Sequence, residues 1–155
     1  MQKITPFLWY EKDARKVAAY YMSIFKDAKI TNTSVMENTP SGTVEIVSLQ
    51  LFGQDFTLMS AGPEFTFTEA VSFVIDCKDQ EEVDYYWEKL TADGGQESVC
   101  GWVKDKYGLS WQVTPRRLIE LTGDKDKEKA NRVTQAMLQM KKIIVADLEK
   151  AYEGK

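Results

Sequence analysis

Histidine is absent from all 155 residues. That removes Ser–His and Cys–His pairs, imidazole general bases and imidazole metal ligands. Chemistry must come from thiols, carboxylates, hydroxyls, amides, amines and aromatic rings. The densest such group flanks the polar turn Lys104-Asp105-Lys106-Tyr107-Gly108. Cys100 and Trp102 precede it, Ser110, Trp111 and Gln112 follow it, and Pro115 ends the second stretch. Gly108 suits the positive φ of a tight turn, so the spacing predicts a hairpin. Alternation puts Cys100 with Trp102, and sets Trp111 opposite Ser110 and Gln112. Cys100 reads either as a nucleophilic or redox thiol or as a small residue packed in a sheet. Gln112 needs partners for its amide in a half-buried strand, and these are a ligand or neighbouring backbone.

Ser72 and Glu69, near the start of an earlier strand, are further binding candidates. Glu45 is a general base if buried and part of a solvated face otherwise. Glu45, Glu69 and Cys100 are the catalytic candidates, whereas Cys77 reads as structural. Phe7, Trp9, Phe65, Phe67, Trp102 and Trp111 are either core or interface packing, or the lining of a pocket for a flat or cationic ligand. Alternation places Phe7 and Trp9 together, so these six do not all share one face.

The elements that must position these residues form one domain with an appendage. The apolar fraction of 43% suffices for a core. A net charge of −4, with only Arg116-Arg117 and Lys141-Lys142 as basic clusters, argues against a nucleic-acid partner. Two distant cysteines fit free thiols better than a disulfide framework. No signal-peptide core and no apolar run of about 20 residues is present. The chain is therefore expected to be cytoplasmic, with no membrane partner.

Ile4–Tyr10 reads as a strand, Asp13 as a helix N-cap, and Val17 to Phe25 as an amphipathic helix. Lys29–Met36, Thr43–Leu51 and Phe56–Met59 read as strands separated by the turns at Pro40-Ser41-Gly42 and Phe52–Asp55. After a linker at 60–69, Ala70–Cys77 reads as a strand and Asp79 caps a second helix, closed by Asp93-Gly94-Gly95. A short strand near Glu97–Val99 then leads into the hairpin. The order βαβββ thus occurs twice, in modules at about 1–61 and 68–115. The fold class is α+β, with a domain at 1–117 and a helical appendage at 118–155 whose helices pack on the sheet or on a second subunit.

Ala19-Tyr20-Tyr21, Ser72–Cys77, Glu82–Leu90, the hairpin at 100–115 and Val133–Lys142 together resemble PhnB-like proteins. These form a branch of the vicinal oxygen chelate (glyoxalase/bleomycin-resistance/dioxygenase) superfamily, whose members often carry the label 3-demethylubiquinone 3-methyltransferase. The resemblance implies two βαβββ modules with curved sheets around a pocket, often in a homodimer. It implies a metal site at Thr5 or Pro6, at Met59 or Ser60, at Ser72, and at Gln112, which stands where metal-using members have glutamate. None of these is histidine or a carboxylate, so no metal and no other cofactor is expected. S-adenosylmethionine chemistry is disfavoured because no G-x-G-x-x-G loop is present. The expected function is metal-independent binding of a small molecule, with Gln112, Trp102, Cys100, Ser72, Phe7, Phe65 and Phe67 as ligand-binding candidates. The alternatives are a lyase- or dioxygenase-like enzyme with an atypical site, or an interaction role through the tail.

Overall fold

In a computed structural model, which describes residues 2–155, the chain divides into two compact units that meet at Phe67 and Thr68. The first unit runs β1 (Phe7–Tyr10), α1 (Ala14–Ile24), β2 (Lys29–Thr39), β3 (Gly42–Leu51) and β4 (Gln54–Ser60). Its sheet has the order β1-β4-β3-β2, with β1 parallel to β4 and the other pairs antiparallel. Strand alternation turns Val47, Leu49, Leu51, Phe56 and Leu58 inward, and all are buried. The face of α1 that packs on this sheet carries Val17, Ala18, Tyr21 and Ile24 at helical spacing. The Tyr10 and Tyr21 hydroxyls pair at 2.8 Å within this core, which satisfies two buried polar groups.

The start of α1 corrects the expected cap. Asp13 takes φ +57°, and its side chain makes no cap bond. The sheet caps the helix instead. Ser60 Oγ accepts the Ala14 N–H at 3.2 Å, and the Glu45 carboxylate accepts the Arg15 N–H at 3.0 Å.

The second unit begins with β5 (Ser72–Cys77), α2 (Gln80–Thr91), β6 (Gln96–Glu97), β7 (Trp102–Lys104) and β8 (Ser110–Pro115). Its order is β5-β8-β7-β6, with β5 parallel to β8. The βαβββ order is thus realised twice. Asp79 caps α2 as expected, accepting the Glu82 N–H at 3.0 Å, while the Glu82 side chain accepts the Lys78 N–H at 2.8 Å. Several strand bounds differ from expectation. The first strand starts at Phe7, the second runs on to Thr39, the third starts at Gly42, the fourth spans Gln54–Ser60, the fifth starts at Ser72, and the short strand is Gln96–Glu97.

The helices α3 (Arg116–Thr122), α4 (Lys127–Leu138) and α5 (Val145–Glu153) fold with the second unit. Leu118, Leu121, Val133, Ile143 and Leu148 form their common core. Gln80 of α2 clamps the segment before α5. Its amide donates to the Ile143 carbonyl at 3.0 Å and accepts from the Val145 N–H at 2.7 Å. The amides of Cys100 and Gly101 donate to the Met140 and Lys141 carbonyls, each at 2.8 Å. Gly101 has φ +82°, and a Cβ there would sit 2.9 Å from the Val113 carbonyl oxygen and 3.0 Å from the Ile143 side chain. Tail, turn and β8 therefore converge at a position only glycine fills. Among the described residues no helix is long and apolar enough to cross a membrane.

Candidate functional site

Strand register sorts the second sheet into two faces. Ser72 pairs with Ser110, Val74 with Gln112, Trp102 with Gln112, and Lys104 with Ser110. These six residues share one face. Ile75, Cys77, Val103, Trp111 and Val113 lie on the opposite, buried face. The expected opposition of Trp111 to Ser110 and Gln112 holds.

On the first face Gln112 Nε2 donates to Ser72 Oγ at 2.9 Å. Two candidates that the resemblance also assigns to one site are thereby hydrogen-bonded partners. Lys104 Nζ forms an ion pair with Glu69, and the Lys104 ammonium holds the Glu69 carboxyl below the usual carboxylate range. A recess of about 140 Å³ opens beside them, lined by Glu69, Gln96, Glu97, Ser98, Trp102, Val103, Lys104 and Ser110. Ser110 is 1% exposed, and its hydroxyl has no hydrogen-bond partner among the described residues. A buried hydroxyl without a partner costs free energy that a bound molecule can restore.

Asp105 sets the hairpin that carries these groups. It is 2% exposed, and its carboxylate accepts the Tyr107 N–H at 2.8 Å, the Leu109 N–H at 3.2 Å and Trp111 Nε1 at 2.9 Å. Sequence reasoning took Asp105 only as a polar turn residue. The available signal was an aspartate opening a turn that ends in glycine, where the side chain bonds backbone two residues on.

The remaining candidates lie elsewhere. Cys100 is not on a strand beside Trp102. It sits in the preceding turn at φ +58° and is not among the residues lining the recess. Cys77 is fully buried, and desolvation pushes its thiol up to about 12, which suits a packing role. Glu45 bonds both the backbone and the guanidinium of Arg15, so it serves the helix rather than standing ready as a base. Phe7, Phe65 and Phe67 belong to the first unit. Phe65 meets Trp9 edge-on at 5.0 Å, Phe67 meets Tyr10 at 5.1 Å, and Phe7 is exposed.

The positions that the resemblance assigns to a metal do not fit one. Ser60 Oγ accepts from α1, and Gln112 and Ser72 bond each other. Transition metals favour imidazole, thiolate or carboxylate donors, and these positions offer hydroxyls and an amide. Among the described residues no group of three or more His, Cys, Asp or Glu side chains is placed to hold a metal ion. The β1–α1 connection, Glu11-Lys12-Asp13, lacks the glycines that let backbone approach a nucleotide-type methyl donor.

Residues 2–114 match the family described as 3-demethylubiquinone-9 3-methyltransferase. Among solved structures, the putative 3-demethylubiquinone-9 3-methyltransferase PhnB protein of Bacillus cereus is similar at 31% identity and TM-score 0.65, covering 74% of this chain and 99% of that one. Protein PA1353 of Pseudomonas aeruginosa shares the fold at 17% identity and TM-score 0.55, covering 74% of this chain and 98% of that one. The fosfomycin resistance protein FosX of Listeria monocytogenes does so at 18% identity and TM-score 0.54, covering 71% and 87% respectively. No functionally curated protein matches the chain. The chain belongs to the PhnB/3-demethylubiquinone-9 3-methyltransferase family and has the fold of the glyoxalase/bleomycin-resistance superfamily.

Proposed function

We propose that this chain binds a small molecule without a metal, on the face of the second sheet that carries Trp102, Lys104, Ser110 and Gln112. The observation that carries this reading is the Ser110 hydroxyl, buried and unpartnered at a recess of about 140 Å³. Binding sites combine an apolar wall with a few convergent polar groups. Here Trp102 supplies the wall, and Ser110, Lys104 and the Gln112–Ser72 pair supply the polar groups. Sequestration of the ligand needs nothing further. A lyase- or dioxygenase-like reaction has less support, because Glu45 and Glu69 are ion-paired and Cys100 lies off the sheet. The test is a thermal-shift screen of small aromatic and polar compounds with and without Mn, Fe, Ni or Zn. A hit should raise the melting temperature equally with and without metal, and Trp102→Ala should abolish the shift. Near-stoichiometric metal in protein purified without an affinity tag would overturn the reading.

We propose further that a second copy of this chain adds along β2. This strand is 11 residues long, is the edge of its sheet and is exposed along nearly its whole length. An antiparallel copy centred on Thr33 sets Lys29 against Glu37 and Ile30 against Met36, so charge and apolar pairs complement each other. Light scattering should give twice the 17.7 kDa chain mass. Lys29→Glu should weaken the dimer about fivefold, with recovery in Lys29→Glu/Glu37→Lys. A dimer indifferent to both variants places the contact elsewhere.

A further inference from the structure

We infer that the recess takes a compact carboxylate, and that Glu69 holds the ligand's place on Lys104 until it arrives. The inference rests on the reading of this sheet face as a binding site, and deepens it. Lys104 is the one cation among the described residues lining the recess. Its backbone is fixed on β7 between the rest of the hairpin and β6, and its ammonium reaches Glu69 from there on a flexible four-carbon stem. Its counter-charge is placed differently. Glu69 precedes β5 in a segment without helix or strand, and its side chain is 62% exposed. An ion pair with one partner so exposed is weak and readily exchanged.

A ligand carboxylate can take the Glu69 position without leaving Lys104 unpaired. Glu69 then returns to water, where its charge is well solvated. The Ser110 hydroxyl, which lacks a partner among the described residues, can donate to the second carboxylate oxygen in a charge-assisted hydrogen bond. The Trp102 ring offers apolar area for the remainder of the molecule. Size sets the scale. The recess of about 140 Å³ is close to cavities that accept benzene, so roughly six to nine non-hydrogen atoms fit. A cationic ligand would compete with Lys104 for Glu69, or pair with Glu97, which also lines the recess and accepts from Trp87 Nε1.

Benzoate, benzamide and benzylamine are matched probes that differ in charge. They are titrated into the full chain at pH 7, with the indole N–H signals followed by NMR and affinity by calorimetry. Benzoate should bind best and shift the Trp102 signal, assigned with Trp102→Phe. Glu69→Gln removes the competing carboxylate and should tighten benzoate about tenfold, leaving benzamide unchanged. Lys104→Met should weaken benzoate at least tenfold. Should that variant fail to fold, Glu69→Gln alone decides, since Glu69 is exposed and outside every strand. Preference for benzylamine, with loss in Glu69→Gln, overturns the inference by making Glu69 the recognising group. Benzamide binding without benzoate binding also overturns it, yet leaves the sheet face as a binding site. If no probe of any charge shifts the Trp102 signal, the binding reading falls and takes the inference with it.

Discussion

In the first unit the outer strand β2 has 11 residues, nearly all exposed. In the second unit the outer strand β6 has two residues, and the turn after it is bonded to the tail through Cys100 and Gly101. The element order up to that point is the same. The polar groups differ in the same sense. An open hollow of about 420 Å³ in the first unit includes Glu45 and Ser60, but both side chains are engaged in capping α1. In the second unit α2 is capped by its own Asp79, and the sheet's polar side chains remain on its open face. Glu45 and Ser60 lie on the inner face of their sheet in phase with Val47 and Leu58, whereas Ser110 and Gln112 lie on the face of theirs opposite to Val103 and Val113.

The sharpest way to break this contrast is at Ile143, which has no counterpart in the first unit. It is fully buried, its side chain touches the Gly101 turn, and its carbonyl accepts from Gln80. Ile143→Ala should cost about 3 kcal/mol of stability, as large-to-small changes in cores do. The loss should be local before it is global. Hydrogen exchange at Trp102 and Val103 should quicken, while Val47 and Leu58 of the first unit keep their protection. An equal loss of protection in both units would show that the tail does not stabilise the second unit separately.

What was legible in the sequence follows the range of the interactions. Both βαβββ orders, the Lys104–Gly108 hairpin and the Asp79 cap depend on neighbours within a few residues, and each is present. Gln112 and Ser72 were tied to one site only through the metal positions that the resemblance implies, since periodicity within either strand does not fix the register between β5 and β8 that brings them together across 40 residues. Gln80 gripping Ile143 across 63 residues left no periodic trace. Neither did the sheet's capping of α1, which displaced the role expected of Asp13. Cys100 was placed on a strand because alternation assumes a continuous ladder, and the backbone at Cys100 turns left-handed before β7 begins. The orphan Ser110 hydroxyl was invisible for a different reason. A missing partner is a property of packing, and serine in a strand reads the same whether or not it is satisfied.

The smallest expected effect bears most directly on how the two helices start. Ser60 is 8% exposed, and its hydroxyl accepts the Ala14 N–H at the first turn of α1. Ser60→Ala leaves that N–H without an acceptor, and the loss of a single cap costs about 1 kcal/mol. Asp79→Ala removes the corresponding acceptor of α2, from the helix's own N-cap, and should cost a similar amount. In a chain of this length each change should lower the melting temperature by about 2–4 °C. The comparison turns on the double changes. Glu45→Gln keeps an acceptor for the Arg15 N–H, whereas Ser60→Ala with Glu45→Ala removes both strand-borne caps and should cost more than either alone. If the double variant matches Ser60→Ala, then Glu45 contributes nothing to α1. Its carboxylate would then be free for a role in the first unit that resembles the one proposed for Glu69 in the second.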